Sequence, residues 1–201
     1  MEPPLTNNYP GLNPFSQKNE VIEIARKAIS KHPIYIDTET TGLEKQDEVI
    51  EISILDFDGS ILFQSLVRPT IQIPRSSSQV HGITTEDVQK APTWPAIWPN
   101  IRSLLFGRTI AAYNAPFDLR LMQQTHNKYR LPWRDSFDWL DVMVLYSKYK
   151  GVWDPFRKSL RLFSLDQAGK DFGISLKNTH RASADSELTR AVLHSIAQIP
   201  Y

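Results

Sequence analysis

Residues 34–42 read Ile-Tyr-Ile-Asp-Thr-Glu-Thr-Thr-Gly and set two carboxylates, Asp37 and Glu39, at the end of a short apolar run. Side chains alternate along a strand, so residues two apart project from the same face. Like charges held that close repel each other, and a bound cation is the usual compensation. What the rest of the chain offers these two acids therefore decides the reading.

The chain has 201 residues and 41% hydrophobic content, which suits one full-sized core rather than two. With a net charge of +1, the molecule as a whole is not an electrostatic magnet for a polyanion. A nucleic-acid ligand would be held locally, by metal ions or a small patch. The absence of cysteine excludes a disulfide framework, thiolate zinc sites and a cysteine nucleophile, and it fits a reducing compartment. Residues 1–19 hold prolines and asparagines without an apolar core, unlike a signal peptide. No apolar run approaches the roughly 18 residues of a membrane span. The expectation is a cytoplasmic protein without membrane attachment.

Residues 1–17 read as an irregular arm, and apolar spacing predicts a helix over 20–31 that Pro33 stops. Strands are expected at 34–36 and 49–57, the second with Ile50, Ile52 and Ile54 on one face. Asp58-Gly59 signals a hairpin returning over 61–67. Further helices are expected near 94–105, 116–125, 141–149, 164–172 and 183–197, with a strand near 109–113. Residues 150–162, rich in cations and aromatics, read as a loop or insertion. An antiparallel start followed by alternating elements argues mixed α/β.

Two further acids stand on apolar stripes. Asp185 shares helical spacing with Leu188, Val192 and Ile196, and Asp118 with Leu121, Met122 and Thr125. Each has a plainer account as a first-turn acid favoured by the helix dipole. Asn114 suits the cap of the second of these helices and Pro116 its first turn. Four inward-pointing acids at element ends shift the balance towards a metal site. Two ions held about 3.5–4 Å apart by shared carboxylates are a standard device for phosphoryl-ester cleavage. Oxygen ligands favour Mg²⁺ or Mn²⁺. His180, five residues before Asp185, is a candidate base for an attacking water.

Asp37-Thr-Glu39, Asn114-Ala-Pro-Phe-Asp118 and His180-Arg-Ala-Ser-Ala-Asp185 together resemble the three motifs of the DEDD 3′→5′ exonucleases, the group of ribonuclease T and the proofreading subunit of bacterial replicative polymerase. The spacing of five from His180 to Asp185 matches the DEDDh branch. Val49-Ile-Glu-Ile-Ser53, His81-Gly-Ile-Thr84, Asp141-Val-Met143 and Ser164-Leu-Asp166 add softer likeness, which covers roughly residues 33–198.

This resemblance implies a ribonuclease H-like exonuclease fold, a mixed central sheet with helices on both faces. Residues 1–32 would form an N-terminal arm and helix, and 33–201 the exonuclease domain. It implies two Mg²⁺ or Mn²⁺ ions held by Asp37, Glu39, Asp118 and Asp185, with Asp37 touching both. His180 would be the general base. The reaction would be in-line attack by water at the 3′ end of single-stranded DNA or RNA, releasing nucleoside 5′-monophosphates. Thr40 and Gly42 would hydrogen-bond the terminal nucleotide, Leu43 would wedge beside its base, and His81 and Phe117 would line the groove. Leu43 and Phe117 as core residues, and His81 as a turn residue, remain open alternatives. Glu51 receives no role. The end of the chain at Tyr201 leaves out a polymerase-binding tail, so a stand-alone enzyme is expected, with a homodimer as one option. A non-catalytic nucleic-acid binder of the same fold and a phosphoesterase acting on short oligonucleotides are the competing functions.

Overall fold

In a computed structural model of the chain, residues 14–176 and 179–201 are described. Most of the expected N-terminal arm lies outside them. The sheet is built around β1 (Ile34–Thr40), which runs antiparallel to β2 (Val49–Leu55) and parallel to β4 (Thr109–Ala112). β3 (Ile61–Leu66) extends it beyond β2 and β5 (Asp138–Asp141) beyond β4, giving the order β3-β2-β1-β4-β5. This is the mixed sheet of the ribonuclease H-like exonuclease fold.

Alternation in β1 and β4 distributes two cores. Tyr35 and Ala111 face one side, where α1 (Pro14–Ile29), α6 (Val142–Lys150), α7 (Leu165–Asp171) and α8 (Ala182–Ala197) pack. Ile34, Ile36, Ile110 and Ala112 face the other, against α4 (Trp94–Leu105) and α5 (Ala115–Lys128). Burying each of these isoleucines contributes about 1.5–3 kcal/mol. β2 is buried along its whole length, so it reads as a continuous apolar run broken by Glu51 and Ser53.

Several boundaries differ from the sequence reading. β1 runs four residues further than expected, through both acids, because β2 pairs with it as far as Glu39. The ladder then shifts register between Glu39 and Thr40. α1 begins six residues earlier, at Pro14, a residue suited to a first helical position. Two short helices, α2 (Arg75–His81) and α3 (Thr85–Val88), connect β3 to α4, so His81 ends a helix rather than sitting in an open loop. Gly82 stops α2 in the left-handed region, with φ 75°. The 150–162 segment folds back on itself as a small hairpin, β6 (Trp153–Asp154) and β7 (Ser159–Leu160). Among the described residues, no helix is long and apolar enough to cross a membrane.

Candidate active site

The acids of β1 sit where its neighbours change direction, antiparallel on one side and parallel on the other. Crevices at such switch points are where open α/β sheets bind ligands. Asp37 and Glu39 share the face of Tyr35 and so point toward α8. Asp185, in the first turn of α8, meets them there. One carboxylate oxygen from each of Asp37, Glu39 and Asp185 lies within 4.8 Å of the others.

Asp118 reaches the site by another route. It belongs to α5, on the opposite face, and is buried there with Leu121 and Met122. Its Oδ1 accepts a 2.8 Å hydrogen bond from the hydroxyl of Thr38, the β1 residue that points to that face. Three of the four expected ligands thus form one compact group, and the fourth approaches Asp37 across the strand.

Burial and mutual repulsion leave these acids reluctant to ionise. Burial, then the charge of Asp118, then those of Glu39 and Asp185 hold the Asp37 carboxyl well above the usual range. Burial first, with Asp185 and Glu51 next, pushes Glu39 up to about 8. Asp118 is raised to about 7 and Asp185 to about 6, in both cases chiefly by burial. Such a cluster asks for positive charge. Three or four hard oxygen donors on one centre fit Mg²⁺ or Mn²⁺.

Part of that charge comes from Arg181, and here the structure supplies what the sequence left blank. Glu51 stands directly opposite Glu39 in the β1–β2 ladder, an unfavourable placement for two like charges. The Glu51 carboxylate is almost fully buried and is forked by Arg181, Nη2 to Oε1 at 2.6 Å and Nε to Oε2 at 3.1 Å. It also accepts the Ala182 N–H at 3.0 Å. Arg181 occupies the cap position of α8 and makes no side-chain cap of its own. Glu51 therefore caps α8 from a neighbouring strand, satisfying an orphan helix N–H with a carboxylate.

His180 precedes Arg181 with left-handed backbone, φ 51°. It is exposed and close enough to Asp185 for its charge to favour the ionised acid. Thr179 N–H donates to Asp185 Oδ1 at 3.2 Å, so the residues on both sides of His180 are tied down.

Thr40, Gly42, Leu43, His81 and Phe117 all line one cleft of about 640 Å³, together with Glu39. Leu43 is 71% exposed there, so the core alternative for it falls away. The Thr40 hydroxyl donates to the Gly42 carbonyl at 2.7 Å, shaping the turn. Gly42 has a steric reason for its identity. A Cβ at this position would lie 2.6 Å from Asp47 Oδ2. That carboxylate clasps the loop by accepting from Thr41 Oγ1 and Glu44 N, each at 2.7 Å. His81 is buried, its Nδ1 accepting from Ile83 N at 3.0 Å, and burial lowers its pKa. Val80 and Ser77 join this lining from α2, a helix without an apolar repeat to betray it.

Asn114 departs from expectation. It stands at the cap position of α5 but in the left-handed region, φ 71°, and its side chain makes no capping bond. Its N–H donates instead to Asp141 Oδ1 at 3.3 Å, which also caps α6 through Val144 N.

Comparison with known proteins agrees with this geometry. An exonuclease family model, RNase T, matches residues 34–193. An uncharacterised exonuclease, CP81 of Escherichia phage 186, is 37% identical over 182 residues, 87% of this chain and 92% of that protein. The 3′-5′ exonuclease DinG of Bacillus subtilis is 24% identical over 180 residues, 84% of this chain but only 18% of DinG. Among solved structures, exonuclease X in complex with 5′-overhanging duplex DNA superposes with a TM-score of 0.63 at 26% identity, covering 82% of this chain and 90% of that one.

Proposed function

The chain belongs to the exonuclease family matched over residues 34–193, and from that membership we propose that it is a divalent-metal-dependent 3′→5′ exonuclease acting on single-stranded DNA or RNA. The observation that carries this reading is the compact carboxylate group of Asp37, Glu39 and Asp185 at the edge of a cleft that Glu39 shares with Leu43 and Phe117. The DinG relative supports the polarity by its name, and the DNA complex of the exonuclease X neighbour supports a nucleic-acid substrate.

Asp37, Glu39 and Asp185 would hold one ion, and Asp37 with Asp118 a second. Mg²⁺ or Mn²⁺ bound there supplies the charge that activates a water and stabilises the leaving 3′ oxygen. The cleft residues orient the terminal nucleotide. Leu43, exposed at the lip, wedges beside its base, and Phe117 and His81 line the wall. His180 takes the proton from the attacking water as the new P–O bond forms. The bond to the 3′ oxygen then breaks, and a nucleoside 5′-monophosphate leaves. The anchoring of both flanking residues, Thr179 on Asp185 and Arg181 on Glu51, supports this role for His180. General-base assistance of this kind is worth about 10²–10⁴-fold.

The test is a time course on 5′-labelled 20-mers of DNA and RNA, single and double, with Mg²⁺, Mn²⁺ or EDTA. A ladder shortening from the 3′ end, stopped by EDTA and absent in Asp118→Ala, supports the reading. Persistent cleavage by a folded Asp118→Ala variant would overturn it.

A further inference from the structure

The β6–β7 hairpin has no part in the site just described, yet its surface is unusual. Phe156 at its tip is 96% exposed, and Trp153 is 44% exposed. Residues 150–162 carry four cations and one acid in a chain whose net charge is only +1. The single acid, Asp154, lies 3.8 Å from Arg157 Nε through its Oδ2. Asp154 Oδ1 accepts from Phe156 N at 2.9 Å and Arg157 N at 3.0 Å, an Asx turn that builds the tip. Its side chain is 24% exposed, whereas that of Arg157 is 74% exposed. Lys158 follows in the left-handed region. Among the described residues, no carboxylate lies within ion-pair distance of Lys158 or Arg161.

The base of the hairpin is fixed beside the active site. The Tyr113 hydroxyl reaches the carbonyls of Phe163 at 3.0 Å and Ser164 at 3.1 Å. Tyr113 immediately precedes Asn114 and the helix that carries Asp118. Between base and tip, the Arg161 guanidinium lies over the Phe163 ring at 5.3 Å. Lys150 pairs with Asp171 at 2.6 Å and Arg157 lies 3.8 Å from Asp154, so Lys158 and Arg161 are the cations left between the corner of the Asp118 helix and the exposed Phe156 ring.

Resting on the exonuclease reading, we propose that this hairpin grips the single-stranded segment on the 5′ side of the nucleotide being removed. Phe156 stacks on a base, while Arg157, Lys158 and Arg161 meet phosphates. Aromatic platforms interleaved with cations are how single strands are held without reading sequence. The hairpin's placement beside the site is what makes the strand already in the cleft its occupant. Seven residues from Phe163 back to Phe156 span at most about 23 Å at the strand rise of about 3.3 Å. That distance corresponds to roughly seven stacked nucleotides at 3.4 Å each. A trinucleotide spans about 10 Å at that spacing and a 20-mer about 68 Å, so of the two only the longer strand outruns the largest reach of the hairpin.

The experiment compares the full chain with Phe156→Ala and with Arg157→Gln/Lys158→Gln, all changes at exposed positions. Affinity for fluorescein-labelled (dT)20 and (dT)3 is measured by anisotropy in EDTA, and hydrolysis of both lengths is measured with Mg²⁺. Loss of one stacked base weakens (dT)20 binding by about 5- to 160-fold. The double variant lowers the slope of log affinity against log salt by about 1.4, or about 0.7 per cation on single strands. Cleavage of (dT)3 stays within twofold of the parent. Unchanged (dT)20 affinity, or equal losses on both lengths, would overturn the grip. If neither length is hydrolysed by the parent while the binding pattern holds, the exonuclease reading fails and the grip stands.

Discussion

The Glu51–Arg181 pair offers a test in which the sign of the outcome matters more than its size. The Glu51 carboxylate is 2% exposed and the Arg181 side chain 47%. Arg181→Met keeps the apolar stem and removes the charge. The half-exposed guanidinium gives up little solvation in the native state, so most of the cost lies in the stranded carboxylate. Glu51 would keep one N–H donor, from Ala182, and still face Glu39 across the ladder. Removing one partner of a buried pair typically costs about 3–5 kcal/mol. For a domain of this size that lowers the thermal midpoint by roughly 6–20 °C. Adding Glu51→Gln removes the stranded charge, and the amide oxygen can still accept the Ala182 N–H. The double variant should therefore be more stable than Arg181→Met alone, with a coupling of about 2–3 kcal/mol in the cycle. Urea unfolding of the four proteins at pH 8 in EDTA measures this directly. If Arg181→Met costs less than about 1 kcal/mol, or if the second change lowers stability further, the buried-charge argument is wrong.

His180→Ala should retain Mg²⁺ binding by calorimetry while turnover falls about 10²–10⁴-fold, and full turnover would make it a bystander. The raised carboxyls predict a stability trend in metal-free protein. Their folded pKa values lie above the unfolded ones, so the folded state holds more protons and the cluster's contribution is lost as pH climbs toward about 8, the value for Glu39. Glu39→Gln in EDTA should then gain in thermal midpoint relative to the parent between pH 6 and pH 8.5, and a gap that narrows would contradict the repulsion. Gly42→Ala should displace the Asp47 carboxylate, cost about 1–3 kcal/mol through its lost hydrogen bonds, and raise KM on a 20-mer. Unchanged denaturation midpoint and KM would show that the loop absorbs a methyl group freely.

Much of this molecule could be read from its sequence because its strongest signals are local. The helix at Trp94–Leu105 was expected with those bounds, since its apolar spacing ends at both sides within the segment itself. The inward stripe of Asp185 with Leu188, Val192 and Ile196 is likewise real and buried. What escaped is short or depends on distant partners. β5 has only four residues, Asp-Trp-Leu-Asp, and its pairing with β4 alone defines it. α2 carries Arg-Ser-Ser-Ser-Gln-Val-His, which has no helical apolar period. Asn114 has a residue type that favours both capping and left-handed backbone, and composition does not choose between them. Glu51 stood out as an acid between isoleucines, but its partner lies 130 residues away.

Helix α5 holds more than one part of the site at once. Asp118 in its first turn meets Thr38. Further along, Arg120 donates to the Leu43 carbonyl at 3.3 Å, and Gln124 to those of Glu44 and Asp47 at 3.0 and 3.2 Å. Thr125 accepts the N–H of Val49 at 3.0 Å. The acid and the lip of the cleft therefore ride on one rigid body. Any shift of α5 that improves the seat of Asp118 also moves Leu43. Linkage then requires reciprocity: whatever factor the ion adds to nucleotide affinity, the nucleotide adds to ion affinity. If that factor exceeds one, a nucleoside monophosphate in the cleft tightens the hold on the ion and its departure loosens it, so under the proposed reaction each turnover would relax the metal site before the next strand end enters.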